Sequence, residues 1–179
     1  MKKQNIWKES FLSLKTVRGI ALSAMFIAIS CVLSFFKLGI TQNVNITFFF
    51  LPISIAAMLL GPLPAAAVGG IADLLGCIIR PTGPYFPGFT LNAVVTGIVY
   101  GLFFYKKRPK LWVVIAARLI IMIAVDLILT PLWLHILYST PLVWAFWVER
   151  LIKCAIVCPI EIVSIFAATT AASRLIKKL

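Results

Sequence analysis

Five carboxylates and a single histidine in 179 residues leave little with which to run acid–base or metal chemistry. No Gly-rich loop ends in Lys-Ser or Lys-Thr, so the chain has no means of hydrolysing ATP. HExxH, GxSxG and a paired-carboxylate site are also missing, and no polar stretch is long enough to form a soluble domain that could carry one. Only 12% of the residues are charged. The alternating pattern of barrel strands is absent, and so is the internal repeat usual in secondary transporters. The four cysteines (Cys31, Cys77, Cys154 and Cys158) all lie in apolar runs. Cys154 and Cys158 share a helix face and resemble half a metal site, but no histidine or third cysteine supports it. Packing residues are therefore expected there, with no metal and no cofactor.

What the chain does have is apolar length. Hydrophobic residues make up 62% of it. No soluble domain of this size could hide that surface, so the solvent is a bilayer and the spans are helices. With roughly 20 apolar residues needed per crossing, six spans are predicted: 19–36, 46–60, 65–79, 90–104, 111–137 and 144–172. The fold class is an all-α integral membrane protein, a single membrane domain over residues 1–179. Kinks are expected at Pro131 and Pro159, and tight turns at 61–64 and 80–88.

The charges orient the bundle. With the N-terminus in the cytoplasm, Lys2, Lys3, Lys8, Lys15 and Arg18 lie inside. Lys106, Lys107, Arg108 and Lys110 lie inside too, as do Arg174, Lys177 and Lys178. These are twelve of the seventeen basic residues, as the positive-inside rule requires. The net charge of +12 is thus an orientation signal, split among three membrane-flanking clusters, and not a nucleic-acid footprint. Residues 1–18 carry Trp7, Phe11, Leu12 and Leu14 and read as an interfacial helix. They are not expected to be a signal peptide, since no small-residue cleavage site follows.

Ionisable residues inside spans nominate function. Asp73 falls in the third span, Arg118 and Asp126 in the fifth, and Glu149, Arg150, Lys153 and Glu161 in the sixth; His135 closes the fifth. Internal pairing is the plain alternative: Glu149 with Lys153, and Arg118 with Asp126 or Asp73. In this topology His135, Glu149, Arg150 and Lys153 lie in the outer half, beside the 80–88 loop. Arg118, about two turns from the cytoplasmic end, is the poorer ligand contact.

The densest signal is Gly69 to Asn92, GGIADLLGCIIRPTGPYFPGFTLN. Prolines fix φ and glycines take the turns, so the loop is stiff and holds Tyr85 and Phe86 over the space between two spans. Asp73, Pro84, Pro87 and Gly88 are its expected structural residues. Small residues mark close helix approach: Ala24 and Ala28 in the first span, and Ala65, Ala66, Gly69 and Gly70 in the third. Either set could serve packing or a docking face.

These residues carry a resemblance. The chain resembles the substrate-binding S component of energy-coupling factor (ECF) transporters, the vitamin importers of Gram-positive bacteria. Within that family it is most similar to the folate-specific branch. The likeness runs from the Ala24-xxx-Ala28 pattern through Gly61-Pro62 and Gly69-Gly70-Ile-Ala-Asp73-Leu-Leu-Gly76 to Pro81-Thr-Gly83-Pro84-Tyr85-Phe86-Pro87-Gly88-Phe89-Thr90-Leu91. It implies a non-catalytic, multi-pass subunit of a bacterial plasma membrane. Such a subunit captures its vitamin on the outer side and docks through Ala24 and Ala28 on a transmembrane T component with two cytoplasmic ATPases. It then reorients in the membrane. The first outer loop, with Gln42, Asn43 and Asn45, would act as a lid offering donors and acceptors.

Folate chemistry then suggests a site. The pterin's 2-amino and N3–H edge calls for a carboxylate, Asp126 or Glu149. Its faces call for aromatic walls: Tyr85, Phe86, Phe89, Trp144 or Trp147. The glutamate tail calls for cations, Arg150, Lys153 or Lys37, with arginine able to bind bidentately. Asn92 would bond the ligand or anchor the loop, and His135 lies at the same end. Trp112 and Trp133 are expected in the interfacial belt. An S component for another vitamin, and more remotely a self-sufficient secondary transporter, are the competing readings.

Overall fold

The computed structural model describes residues 6–35, 37–41, 44–79, 85–107, 110–138 and 144–176. Side chains are described for all of these except 37–41, 44–47, 138, 144–146, 149 and 175–176. A short helix α1 (Ile6–Lys15) precedes α2 (Val17–Phe35). A hairpin of β1 (Lys37–Thr41) and β2 (Val44–Thr47) follows, then α3 (Phe50–Leu60), α4 (Pro62–Ile79) and α5 (Pro87–Phe104). The next rod is continuous: α6 (Leu111–Ile121), a π-helical segment (Met122–Leu129) and α7 (Thr130–Tyr138). Helix α8 (Trp144–Ile176) ends the described chain. Among the described residues, five stretches are long and apolar enough to cross a membrane: α2, α4, α5, Leu111–Leu137 and Arg150–Arg174. Helix α3 is a sixth, shorter apolar helix.

The second span differs from expectation. Residues 46 and 47 belong to β2, and the helix begins only at Phe50. The cause is local. Val44-Asn45-Ile46-Thr47 alternates and is rich in β-branched residues, which favours a strand. It pairs antiparallel with β1, Leu38 opposite Ile46 and Gly39 opposite Asn45. The expected polar loop is therefore a hairpin, though Gln42 and Asn43 lie outside the described residues. The remaining 11 residues of α3 rise only about 16 Å, short of a hydrocarbon core of about 30 Å. Eight of them are buried, as expected of a helix that is apolar all round.

The turns are also tighter than 61–64 and 80–88. Gly61 alone separates α3 from α4, at φ 97°, a backbone conformation that only glycine adopts without strain. Pro62 and Pro64 belong to the first turn of α4, and Pro87 and Gly88 to the first turn of α5. Proline is at home there, since its missing N–H would have no helical partner anyway. Pro87 and Gly88 are thus helix residues and not loop residues, while residues 80–84, Pro84 among them, lie outside the described residues.

Helices α4 and α5 form the most extensive pairing among the described residues. A Cβ on Gly97 would lie 2.4 Å from the Ala65 carbonyl oxygen, and one on Gly69 would lie 2.6 Å from that of Ala93. The antiparallel backbones therefore touch through small residues. This assigns Ala65, Ala66, Gly69 and Gly70 to bundle packing. Ala24 and Ala28, by contrast, are exposed on α2, whose inward face carries Ser23, Phe26 and Ser30.

The N-terminal helix lies across one end. Ser10 Oγ accepts a 2.9 Å hydrogen bond from the Leu63 N–H, serving the N-terminus of α4 from another helix. Ser13 Oγ lies 3.1 Å from the Leu60 carbonyl oxygen. Glu9 pairs with Lys106 at 2.5 Å, and its hydrogen bond raises the Lys106 ammonium above its ordinary range. Trp7, Phe11 and Leu12 stay exposed.

Candidate functional site

Charge inside an apolar bundle is confined by cost, and here it converges. Arg150, Lys153, Cys154, Val157 and Glu161 fall at intervals of three and four, so they share one face of α8. Opposite them stand Arg118 of α6 and Asp126 of the π segment. Together these seven residues line a cleft of about 190 Å³. Arg118 organises its inner part. Its Nη2 donates to Asp126 Oδ2 at 3.0 Å, and its Nε side meets the Glu161 carboxylate. Its side chain is only 10% exposed, so both carboxylates compensate a charge taken out of water.

A local departure from α-helix aligns Arg118 with Asp126 more closely than their spacing alone would. Eight residues of pure α-helix turn about 80° past two full turns. The π segment takes more residues per turn, which brings Asp126 back towards the Arg118 face. Its cause stands at its end. Pro131 has no N–H to give and its ring crowds the carbonyl four residues back, that of Leu127. The wider register accommodates this, with the Thr130 N–H bonding the Val125 carbonyl, five residues away. The kink expected at Pro131 is thus a π segment upstream of it.

A second polar cluster adjoins this segment. The Trp133 indole N–H donates to Asn92 Oδ1 at 3.1 Å, and Asn92 Nδ2 donates to Thr130 Oγ1 at 3.1 Å. Thr130 Oγ1 in turn donates to the Val125 carbonyl at 2.8 Å. Phe86 packs 5.7 Å from Trp133 and 6.1 Å from Phe89, centroid to centroid. Gly88 admits the Trp133 ring, which lies 2.6 Å from where a Cβ would stand. Trp133 is therefore tied into the bundle, not left in an interfacial belt; Trp112, 80% exposed, faces outward. A third chain closes the α4–α5 end. Thr90 Oγ1 donates to Asp73 Oδ2 at 2.8 Å, so Tyr85 is the donor in its 3.2 Å contact with Thr90.

The expected site residues therefore divide. Asp126, Arg150 and Lys153 share the charged cleft. Phe86, Phe89 and Asn92 belong to the neighbouring Trp133 cluster, and Tyr85 to the Asp73 chain. His135 is exposed on α7, and Trp147 is half-buried on α8. Only the backbone is described for Lys37, Asn45, Trp144 and Glu149. Arg118 and Glu161 were left out of the expected site, and both line the cleft. Glu161 had a readable signal, because it continues the stripe of Arg150, Lys153 and Val157. Arg118 had one too, as an ionisable residue inside a span expected to pair with Asp126, and that pair is present; its depth had argued against a place in the site.

Comparison with known proteins bears on the whole chain. A family described as "ECF transporter, substrate-specific component" matches residues 18–172. The folate transporter FolT of Clostridium novyi (strain NT) is 38% identical over 162 residues, which cover 90% of this chain and 94% of that protein. FolT of Leuconostoc mesenteroides subsp. mesenteroides is 33% identical over 151 residues, 81% and 80% of the two chains. A crystal structure of FolT bound with folic acid aligns with a TM-score of 0.80 at 39% identity, covering 87% of this chain and 96% of that one. The apolar helices and these bacterial relatives make this a multi-pass bacterial membrane protein. A match over residues 18–172, carried by a bundle with a charged cleft between its last two rods, places the chain among the substrate-specific S components of energy-coupling factor transporters.

Proposed function

We propose that this chain captures folate at the outer membrane face and delivers it, non-catalytically, as the S component of an importer powered by two ATPases on a T component. The likeness to FolT with folic acid, at 39% identity over 87% of the chain, carries the substrate. The cleft supports it chemically. Arg150 and Lys153 stand towards one end of the α8 stripe and Glu161 at the other, about 16 Å along the helix axis. Folate has the same polarity, with two carboxylates at one end and the pterin donor edge at the other. We assign the glutamate tail to Arg150 and Lys153, and the pterin edge to the carboxylates beside Arg118. A cleft of about 190 Å³ is smaller than the usual ~300–1,000 Å³ of ligand pockets, so part of the ligand extends towards the hairpin and the loops at that end.

The same reading sets six spans as one domain, with both termini cytoplasmic, supported by the charge clusters. The exposure of Ala24 and Ala28 on α2 supports their use in docking. The test is a titration of the purified chain with folic acid, followed by quenching of its five tryptophans. Riboflavin, thiamin and biotin serve as controls. Saturable binding of folic acid alone supports the assignment. Binding of a control vitamin instead keeps the family and removes the substrate.

A further inference from the structure

The Trp133–Asn92–Thr130 chain touches the π segment and not the cleft. Each hydrogen in it has one direction. The indole N–H goes to Asn92, the Asn92 amide to Thr130, and the Thr130 hydroxyl to the Val125 carbonyl. Val125 thus receives both the N–H and the hydroxyl of residue 130. The backbone bond from five residues ahead is the wide register itself, and the hydroxyl reaches the same carbonyl. Asn92 itself is 8% exposed, so its amide is committed to these partners. The next residue along is Asp126.

We infer that Asn92 and Thr130 are positioning residues. By locking the π register from α5, they rotate Asp126 onto the Arg118 face and so set the acidic part of the ligand cleft. They act through Val125 and do not touch the ligand. This deepens the folate reading by naming what orients its proposed carboxylate partner, and of the two roles expected for Asn92, ligand contact or loop anchor, it favours an anchor, of the π segment and not of the loop.

The test is a double-mutant cycle read twice. Thr130→Val removes the hydroxyl and keeps the branched shape; Thr130→Ser restores the hydroxyl. In ligand-free protein in detergent, Asp126→Asn lowers the melting temperature of the parent by roughly 3 °C or more. In the Thr130→Val background the same change has less than about half that effect, because the pair is already misaligned. In Thr130→Ser the parental shift returns. With folic acid, Thr130→Val weakens binding about tenfold, and Asp126→Asn then adds less than about twofold. Equal melting shifts in both backgrounds, or affinity losses that multiply, overturn the inference. Should Thr130→Val fail to fold, Trp133→Phe removes only the first donor of the chain and carries the same cycle. If the parent binds no folic acid, the folate reading falls, while the ligand-free cycle still decides the positioning role.

Discussion

Arg118 and Asp126 meet at 3.0 Å although eight residues of one rod separate them. A regular helix would leave them about 80° apart around its axis, roughly on one face. The contact ties the register of the rod Leu111–Leu137 to the electrostatics of the cleft, because Glu161 of α8 shares the same guanidinium. Breaking such a buried group from one side costs roughly 3–5 kcal/mol, whereas replacing the whole group by apolar or neutral residues can be nearly neutral. Arg118→Leu should therefore lower the melting temperature steeply. The triple change Arg118→Leu, Asp126→Asn, Glu161→Gln should recover most of the loss. A triple variant no more stable than Arg118→Leu would show that the carboxylates are not what Arg118 compensates.

Arg150 and Lys153 are the cations assigned to the ligand's carboxylates. Truncating one partner of a buried charged contact costs about 2–5 kcal/mol, so Arg150→Ala and Lys153→Ala should each weaken folic acid binding by about 30-fold or more. The chain should remain folded. Calorimetric affinities of both variants within threefold of the parent, on the order of 0.6 kcal/mol, would remove the tail from this end of the cleft.

The α4–α5 seam predicts opposite outcomes for two glycines. At Gly97 a Cβ would stand 2.4 Å from backbone, while at Gly76 the nearest atom is a side-chain oxygen 4.0 Å away. Gly97→Ala should destabilise by about 1–3 kcal/mol through overpacking. Gly76→Ala should be neutral or should stabilise by up to about 1 kcal/mol, from helix propensity. Thermal unfolding of the two variants side by side is sufficient.

At the α1 end, burial decides between two neighbouring contacts. Ser10 is fully buried and supplies the acceptor for the Leu63 N–H. Ser10→Ala should cost about 1–3 kcal/mol, the cost of an unsatisfied buried donor. Glu9→Gln removes an ion pair whose lysine is 62% exposed, and such pairs contribute little; no measurable change in melting temperature is expected.

Docking through α2 predicts a separation of functions. Ala24→Leu and Ala28→Leu place bulk on an exposed face. Folic acid binding by the isolated chain should stay at the parental level, while uptake in cells holding the T component and ATPases should fall. Loss of binding in the isolated chain would mean that these positions serve the bundle instead.

The apolar stretches were legible because hydrophobic length is a sum over many residues, and 111–137 matches the rod Leu111–Leu137. What could not be read was set by single residues acting on their neighbours. Pro131 spreads its effect upstream into a π segment, and Gly61 alone makes a turn that four residues seemed to share. The hairpin was hidden because Ile46 and Thr47 continue into an apolar run. In the cleft, Arg150 and Lys153 could be named because a cation inside an apolar span is conspicuous and the charge topology sets its depth. The pairing of Arg118 with Asp126 was likewise readable and is present, but the contact of Arg118 with Glu161 and the role of Trp133 depend on partners brought by other helices.

The small-residue seam has a consequence for motion. Helices α4 and α5 touch backbone to backbone and are clasped at one end by Thr90 and Asp73, so they resist sliding past each other. The cleft belongs to the other rods, and its walls meet through long side chains that can change rotamer. Ligand entry should therefore be felt asymmetrically. Amide exchange should slow along 118–130 and 150–161 when the site fills, while 62–73 and 90–101 should exchange slowly with or without ligand and report almost nothing.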